Sequence, residues 1–194
     1  MHKNIKKISV LFCAFIFTVS LVGCAKESKD KSADKIVSSS ELWKKNPVEV
    51  VSRYVNSLNT EDCYKYVYAD MNEKNKIYSI GEDYLGDDGY YYLGRFINEE
   101  TIKKEIEHRN KIIKSYKFIG AKPSLQQELI KNPIKIKGKN GEVKEYKNPI
   151  VIEVWFEVRH QGGEGLIFEE GENMMEYTLI QDMNGDFKIL SIGR

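Results

Sequence analysis

The sequence predicts an α+β fold: N-terminal helices packed on one face of a curved antiparallel sheet. Three observations predict it. Apolar residues recur at helical spacing after Pro47 and again after Glu99. One wholly apolar face, Ile150, Ile152, Val154, Phe156 and Val158, then runs through Ile150–Arg159, with Glu153, Glu157 and Arg159 on the other beside Val151 and Trp155. Asn140-Gly141 and Asn184-Gly185 each sit between apolar runs, and Asn-Gly favours the type I′ turn of an antiparallel hairpin. Helices first and strands last argue for α+β rather than alternating α/β.

Residues 1–23 read as a targeting segment. His2, Lys3, Lys6 and Lys7 give a basic start, and Ile8 to Val22 is almost wholly apolar. That run is shorter than the roughly 20 residues a spanning helix needs. It closes on Leu21-Val22-Gly23-Cys24, which resembles the lipobox at which bacterial lipoproteins are cut and lipidated. A thiol is the acceptor such lipidation needs, small Gly23 suits a protease site that excludes bulk, and Leu21 can fill an apolar subsite. The resemblance implies a diacylglycerol on Cys24, often with a further acyl group on the new N-terminus; one chain alone holds a protein only marginally. It implies an outer-face, lipid-anchored location at the cell membrane. A signal anchor, or an ordinary cleavable signal with Cys24 incidental, are the alternatives.

The whole chain of 194 residues has a net charge of +1. Residues 24–194 lose three of the 30 cations, Lys3, Lys6 and Lys7, and none of the 29 acids, leaving 27 against 29, a net of −2. This balance supports neither nucleic-acid binding nor a polybasic membrane patch. With Cys13 in the targeting segment and Cys24 lipidated, Cys63 remains alone. No disulfide framework is expected, and Cys63 reads as a small buried apolar residue.

Residues 24–41 form the lipidated cysteine and a flexible tether, rich in charge and serine and too poor in apolar residues to build a core. Residues 42–194 are expected as one domain. Asn46-Pro47-Val48-Glu49 starts a helix, with Asn46 as N-cap, Pro47 at the first position and Glu49 at the capping-box position. Its expected buried face is Val48, Val51, Val55 and Leu58. Thr60 is expected to cap a second short helix over Glu61–Ala69, burying Cys63 and Val67. Ile77–Ile80 reads as a brief strand and residues 81–94 as a glycine-punctuated loop. A third helix is expected over Glu99–Lys114, burying Ile102, Ile106, Ile112 and Ile113. Strands follow at Tyr116–Ala121, Ile134–Lys137, Val143–Tyr146, Ile150–Arg159, Met175–Gln181 and Phe187–Ile192.

This order is similar to nuclear transport factor 2-like (cystatin-like) domains. The resemblance rests on the capped helix Pro47–Leu58, the short helix after Thr60, a third helix before the sheet, the Val151–Arg159 strand and the Tyr177–Ile192 ending. Small lipoproteins of Gram-positive bacteria, including DUF4829-type families, are similar over about residues 45–194. The resemblance implies a cone whose concave sheet and helices can enclose a pocket. The tyrosine-rich stretch 81–94 and the inserted-looking hairpin 134–147 depart from it.

Candidate chemistry is sparse. His108 lies among Glu105, Glu107, Arg109 and Lys111 and reads as solvated; His160 ends a strand and could rim a pocket. Glu153, Glu157 and Arg159 share a strand face and suit cross-strand ion pairing. Asp182–Asp186 has a calcium-loop look, but Gly193 stands where an EF-hand needs its bidentate Glu, so it reads as a hairpin turn. Asp83, Asp87 and Asp88 could ligate a cation or simply form a polar loop. Tyr84, Tyr90, Tyr91, Tyr92 and Trp155 are the main recognition candidates, since aromatics give large contact area at low entropy cost. They could equally close the open end of the cone. No cofactor or metal is expected. The expected function is noncatalytic: a tethered domain binding a protein, peptide or small ligand at the open end of the cone. The alternatives are an enzyme with one acid–base group in an apolar pocket, and a cell-envelope spacer.

Overall fold

A computed structural model describes residues 39–72, 75–79, 84–92, 96–97, 99–138, 141–162 and 168–193. The targeting segment, Leu21, Val22, Gly23 and Cys24, and the tether up to residue 38 lie outside the described residues. Residues Val37–Arg194 form one compact unit. Order begins slightly before the expected boundary at residue 42, with a 3-10 turn over Ser39–Lys45, the entry turn. Its Trp43 stacks edge-on against Tyr66 at 5.5 Å and carries the Arg53 guanidinium 4.6 Å from its ring centroid. Packing, which composition does not report, orders these residues.

Helix α1 runs Pro47–Asn56. Asn46 caps it as expected, its Oδ1 accepting from the N–H groups of Val48 at 3.0 Å and Glu49 at 3.3 Å. Glu49 pairs one turn on with Arg53 at 3.1 Å. The buried face is Val50, Val51, Tyr54, Val55 and Leu58, whereas Val48 is 37% exposed. The expected stripe therefore had the right helix and a face rotated slightly towards solvent at its start.

The chain then forms a 3-10 turn, Glu61–Tyr66, not an α-helix reaching Ala69. Thr60 makes no cap bond to it; its Oγ1 donates back to the Ser57 carbonyl at 3.0 Å. The turn stops because strand edge chemistry takes over. Val67 bridges Ile189, and the Tyr68 N–H donates to the Ile189 carbonyl at 2.7 Å. Cys63 and Val67 are buried as expected.

Strands β1 (Ala69–Asn72) and β2 (Asn75–Ser79) form a hairpin, joined by β5 (Phe96–Ile97). Strands β3 (Tyr84–Leu85) and β4 (Tyr91–Tyr92) replace part of the loop expected over 81–94. Helix α2 covers Glu99–Ile112 and passes directly into β6, Ile113–Pro123. After a 3-10 turn at Leu125–Leu129 come β7 (Ile134–Lys137), β8 (Val143–Tyr146), β9 (Ile150–His160), β10 (Gly171–Gln181) and β11 (Phe187–Gly193).

The main sheet is antiparallel, in the order β11-β10-β9-β6. Register shifts at Ile113/Ser115, Phe118/Gly120 and Thr178/Leu179 bend its strands locally. One face takes the helices: Ile152, Val154, Phe156, Val158, Tyr177, Leu179 and Ile189 pack with α1, the Glu61–Tyr66 turn and α2 in one continuous core. Mixed helices with antiparallel sheets bear out the α+β expectation.

The other face is not all solvent. Ile180 and Leu190 point away from Leu179 and Ile189 and meet Ile134, Ile136 and Tyr68 in a second core. That core lies under a second four-stranded sheet, β3-β4-β7-β8, in which β4 runs parallel to β7. Hairpin 134–147 thus covers the back of the main sheet, where its Ile134 is fully buried.

Candidate functional site

Ionisable groups gather inside the larger core around Arg109. The spacing Ile102, Ile106, Arg109 puts this arginine on the buried side of α2. Its Nη1 donates to the Leu58 carbonyl. Tyr54 of α1, Cys63 and Tyr64 of the Glu61–Tyr66 turn and Tyr116 of β6 surround it. Tyr54 also packs edge-on against Tyr177 at 5.9 Å. The Tyr64 hydroxyl donates to Glu105 Oε2 at 3.3 Å.

Burial dominates the titration of this cluster. It pushes the Cys63 thiol from 9.0 up to about 11, although the Arg109 charge pulls it back. Tyr116 rises from 10.0 to about 12 for the same reason, with the same opposition from Arg109. Tyr54, Tyr64 and Tyr177 are all held well above the ordinary phenol range, again chiefly by burial. Burial acts to lower the Arg109 pKa, but Tyr116, Tyr54, Cys63 and Tyr64 outweigh it and the net shift is upward. At neutral pH the cluster is one fixed cation among protonated phenols and a protonated thiol. It can hydrogen-bond and hold shape, but it offers no base near its working pH.

The tyrosines of residues 84–92 lie in the small sheet. Tyr84 pairs with Tyr92 and Leu85 with Tyr91 across β3 and β4. Tyr91 packs against the second core. Tyr90 and Tyr92 flank Lys137, whose Nζ is 5.5 Å and 5.7 Å from their ring centroids and donates to the Tyr92 hydroxyl at 3.5 Å. Asp88 fixes this arrangement, accepting from the Tyr90 N–H at 3.2 Å and from the Tyr92 hydroxyl. Those bonds, the Tyr92 one foremost, lower the Asp88 pKa.

Compared with known protein families, with curated proteins and with solved structures, the chain matches none. The site is therefore read from its own geometry.

Trp155 stands elsewhere, on the outer face of the main sheet. The Lys122 ammonium lies 5.0 Å from its ring centroid and pairs with Glu153 at 2.9 Å. Glu157 pairs with Arg159 at 3.0 Å. The ion pairing expected of this face is present, across strands for Glu153 and within β9 for Glu157.

His160 ends β9. Its Nε2 is 3.1 Å from the Phe168 carbonyl and its Nδ1 3.4 Å from Glu170 Oε2. Phe168 in turn packs edge-on against Phe156 at 5.2 Å and Tyr116 at 6.1 Å. His160 thus borders the helix-side core, while His108 is exposed.

The recognition candidates consequently occupy three separate places: Tyr84 and Tyr90–Tyr92 in the small sheet, Trp155 on the outer face, His160 at the end of β9. They do not converge on one mouth. Asp182 behaves as a turn residue, its Oδ1 accepting from the N–H groups of Asn184 at 2.8 Å and Asp186 at 3.0 Å. Asp83 lies outside the described residues, and among those described no group of three or more His, Cys, Asp or Glu could hold a metal. Sequence reasoning missed Arg109 and its tyrosines. The signal was present: Arg109 falls at helical spacing after Ile102 and Ile106, on an otherwise apolar stripe.

Proposed function

We propose that this protein is a lipid-anchored, extracytoplasmic binding domain of the nuclear transport factor 2-like kind, held to the outer face of the cell membrane through Cys24. The basic start, apolar run and Leu21–Cys24 box support the anchor. The order of capped helix, short turn, second helix and antiparallel sheet supports the fold type.

One observation carries the binding reading over the enzymatic one: the thiol of Cys63 and the phenols of Tyr54, Tyr64 and Tyr116 around the fixed Arg109 cation are buried and each pushed upward by that burial. An acid–base enzyme of this fold needs a group in its interior that exchanges a proton near working pH. Here the interior is set for packing and fixed charge. Recognition falls to the surface, where Tyr90, Tyr92 and Lys137 offer two phenol rings and an ammonium to a protein, peptide or small ligand. Nucleic acid is not among the proposed partners, given the net charge of −2 after residue 23.

The test is lipid labelling in cells with a fatty-acid analogue, followed by mild crosslinking of the labelled protein. Cys24→Ala should leave an unprocessed precursor, remove the label and lose the crosslinked neighbours. Unchanged labelling of that variant would overturn the anchor. Turnover of a substrate that Arg109→Met abolishes while the fold persists would overturn the noncatalytic role.

A further inference from the structure

Four exposed large apolar side chains share one end of the main sheet. Pairing fixes which end it is: Gln181 opposes Phe187, Leu179 opposes Ile150, and Pro123 opposes Ile152. Met183, 104% exposed, sits on the β10–β11 turn just beyond Gln181. Leu125 and Leu129, 90% and 79% exposed, sit on the 3-10 turn just beyond Pro123. Leu42, 57% exposed, belongs to the entry turn, which is bound to that same β10–β11 turn: Lys45 pairs with Asp186 at 2.8 Å and donates to the Asn184 carbonyl.

Single exposed leucines are ordinary. These are held outward by specific bonds. The Gln127 side-chain amide donates to the Pro149 carbonyl at 2.9 Å and accepts from the Val151 N–H at 2.7 Å. The Ser124 hydroxyl donates to Glu176 and caps the turn, accepting from the Gln126 N–H at 2.9 Å. The turn is thus pinned to the sheet by its polar side, with both leucines facing out.

The described residues begin with the entry turn, whose Lys45 is bound at this end. Cys24 is 15 residues before its first residue, Ser39. Fully extended, a chain of that length spans at most about 50 Å. That reach is a ceiling on how far an anchor at Cys24 would let the entry turn, and with it this end of the sheet, stand off the bilayer.

We infer that this end of the domain rests on the membrane, with Leu125, Leu129, Met183 and Leu42 entering the lipid–water interface; the inference rests on the proposed anchoring at Cys24. The side chains act as shallow wedges in the manner of an interfacial segment, which buries its apolar face about 5–10 Å deep. The lipid anchor supplies proximity, and the wedges fix which face of the domain looks away from the bilayer.

The test couples residues 24–194 through the Cys24 thiol to a maleimide-bearing lipid in phosphatidylglycerol–phosphatidylethanolamine vesicles, so it does not depend on lipidation in cells. Leu129→Trp and Met183→Trp are compared with Met174→Trp, which lies seven residues from Gln181 along β10, more than about 20 Å from this end. Phospholipids brominated near the headgroup should lower the emission added by the first two roughly two-fold, and leave Met174→Trp unchanged. Hydrogen exchange on the unsubstituted coupled chain is the companion measurement: amides of residues 125–130 and 182–185 should slow on vesicles. If neither tryptophan is quenched and those amides exchange as in solution, the inference is wrong, even where Cys24 proves lipidated in cells. If protection arises only when an envelope protein is added, the surface docks protein and the inference is equally overturned. Loss of lipid labelling in cells with quenching retained would sink the anchor alone.

Discussion

Alkaline pH should unfold this protein earlier than its composition suggests, and the buried thiol should lead. Cys63 is 2% exposed, and burial raises its pKa from 9.0 to about 11. A group with a raised folded pKa contributes stability in full below its unfolded value and loses it as pH climbs through the folded one. For Cys63 the loss begins near pH 9, reaches about 1.4 kcal/mol at pH 10, and approaches about 3 kcal/mol above pH 11. Tyr116 follows one step later, from 10.0 to about 12, and adds a loss of similar size between pH 10 and 12. Tyr54, Tyr64 and Tyr177 shift in the same direction. Against a domain stability of about 5–15 kcal/mol these losses decide whether the fold survives. Urea titrations followed by circular dichroism, at intervals from pH 7 to 11.5, measure this directly. The extrapolated stability should fall between pH 9 and 10, before most phenols titrate. Cys63→Ala, whatever its own cost at pH 7, should flatten that first segment by about 1 kcal/mol. A wild-type curve level from pH 8 to 11, or an unchanged slope in Cys63→Ala, refutes the reasoning.

Three further substitutions probe separate layers. Ile136→Ala, at a site 2% exposed in the second core, should cost about 2–4 kcal/mol in a urea melt and speed hydrogen exchange in β7 and β8 more than in β9. Asn46→Ala removes the acceptor for two helix N–H groups and should cost about 1 kcal/mol, read from the same melt. Trp43→Ala strips the entry turn of its contacts with Tyr66 and Arg53; amides of residues 39–45 should exchange faster while the melting temperature of the rest is nearly unchanged.

What could be read from the sequence follows the physics of each element. Ile150 to Val158 is legible because one face of β9 is uniformly buried under the helices, so a period of two survives in the letters. Gly185 is legible because its φ of +73° belongs to the left-handed region that glycine enters without penalty. Asn46-Pro47 marks a helix start through capping chemistry that is local by nature. Val48 misleads because a helical stripe can be drawn from either of two starting residues, and tertiary contact chooses Val50. The Glu61–Tyr66 turn ends early because Val67 and Tyr68 pair with β11, a partner over a hundred residues away. The second core was half legible. Leu179-Ile180 and Ile189-Leu190 are adjacent apolar pairs, and adjacent buried positions in a strand mean both faces are covered. What covers the second face, Ile134 and Ile136, depends on a fold-over that no local spacing encodes. For the candidate site, each aromatic was visible but their separation was not: Trp155 and His160 alternate onto opposite faces of one strand.

The two cores also explain why the entry turn sits where it does. β10 and β11 send Leu179 and Ile189 into one core and Ile180 and Leu190 into the other. Side chains packed on both faces make this pair the hardest part of the sheet to open, because its separation would expose apolar surface in two layers at once. The entry turn is clamped to the connection between these strands through Lys45 and Asp186, and to α1 through Trp43 and Arg53. Under the proposed anchoring, any pull from the membrane enters the domain at its best-packed point. The tyrosine patch around Lys137 sits on the smaller sheet, which reaches the main sheet through the second core and not through the helix-side packing.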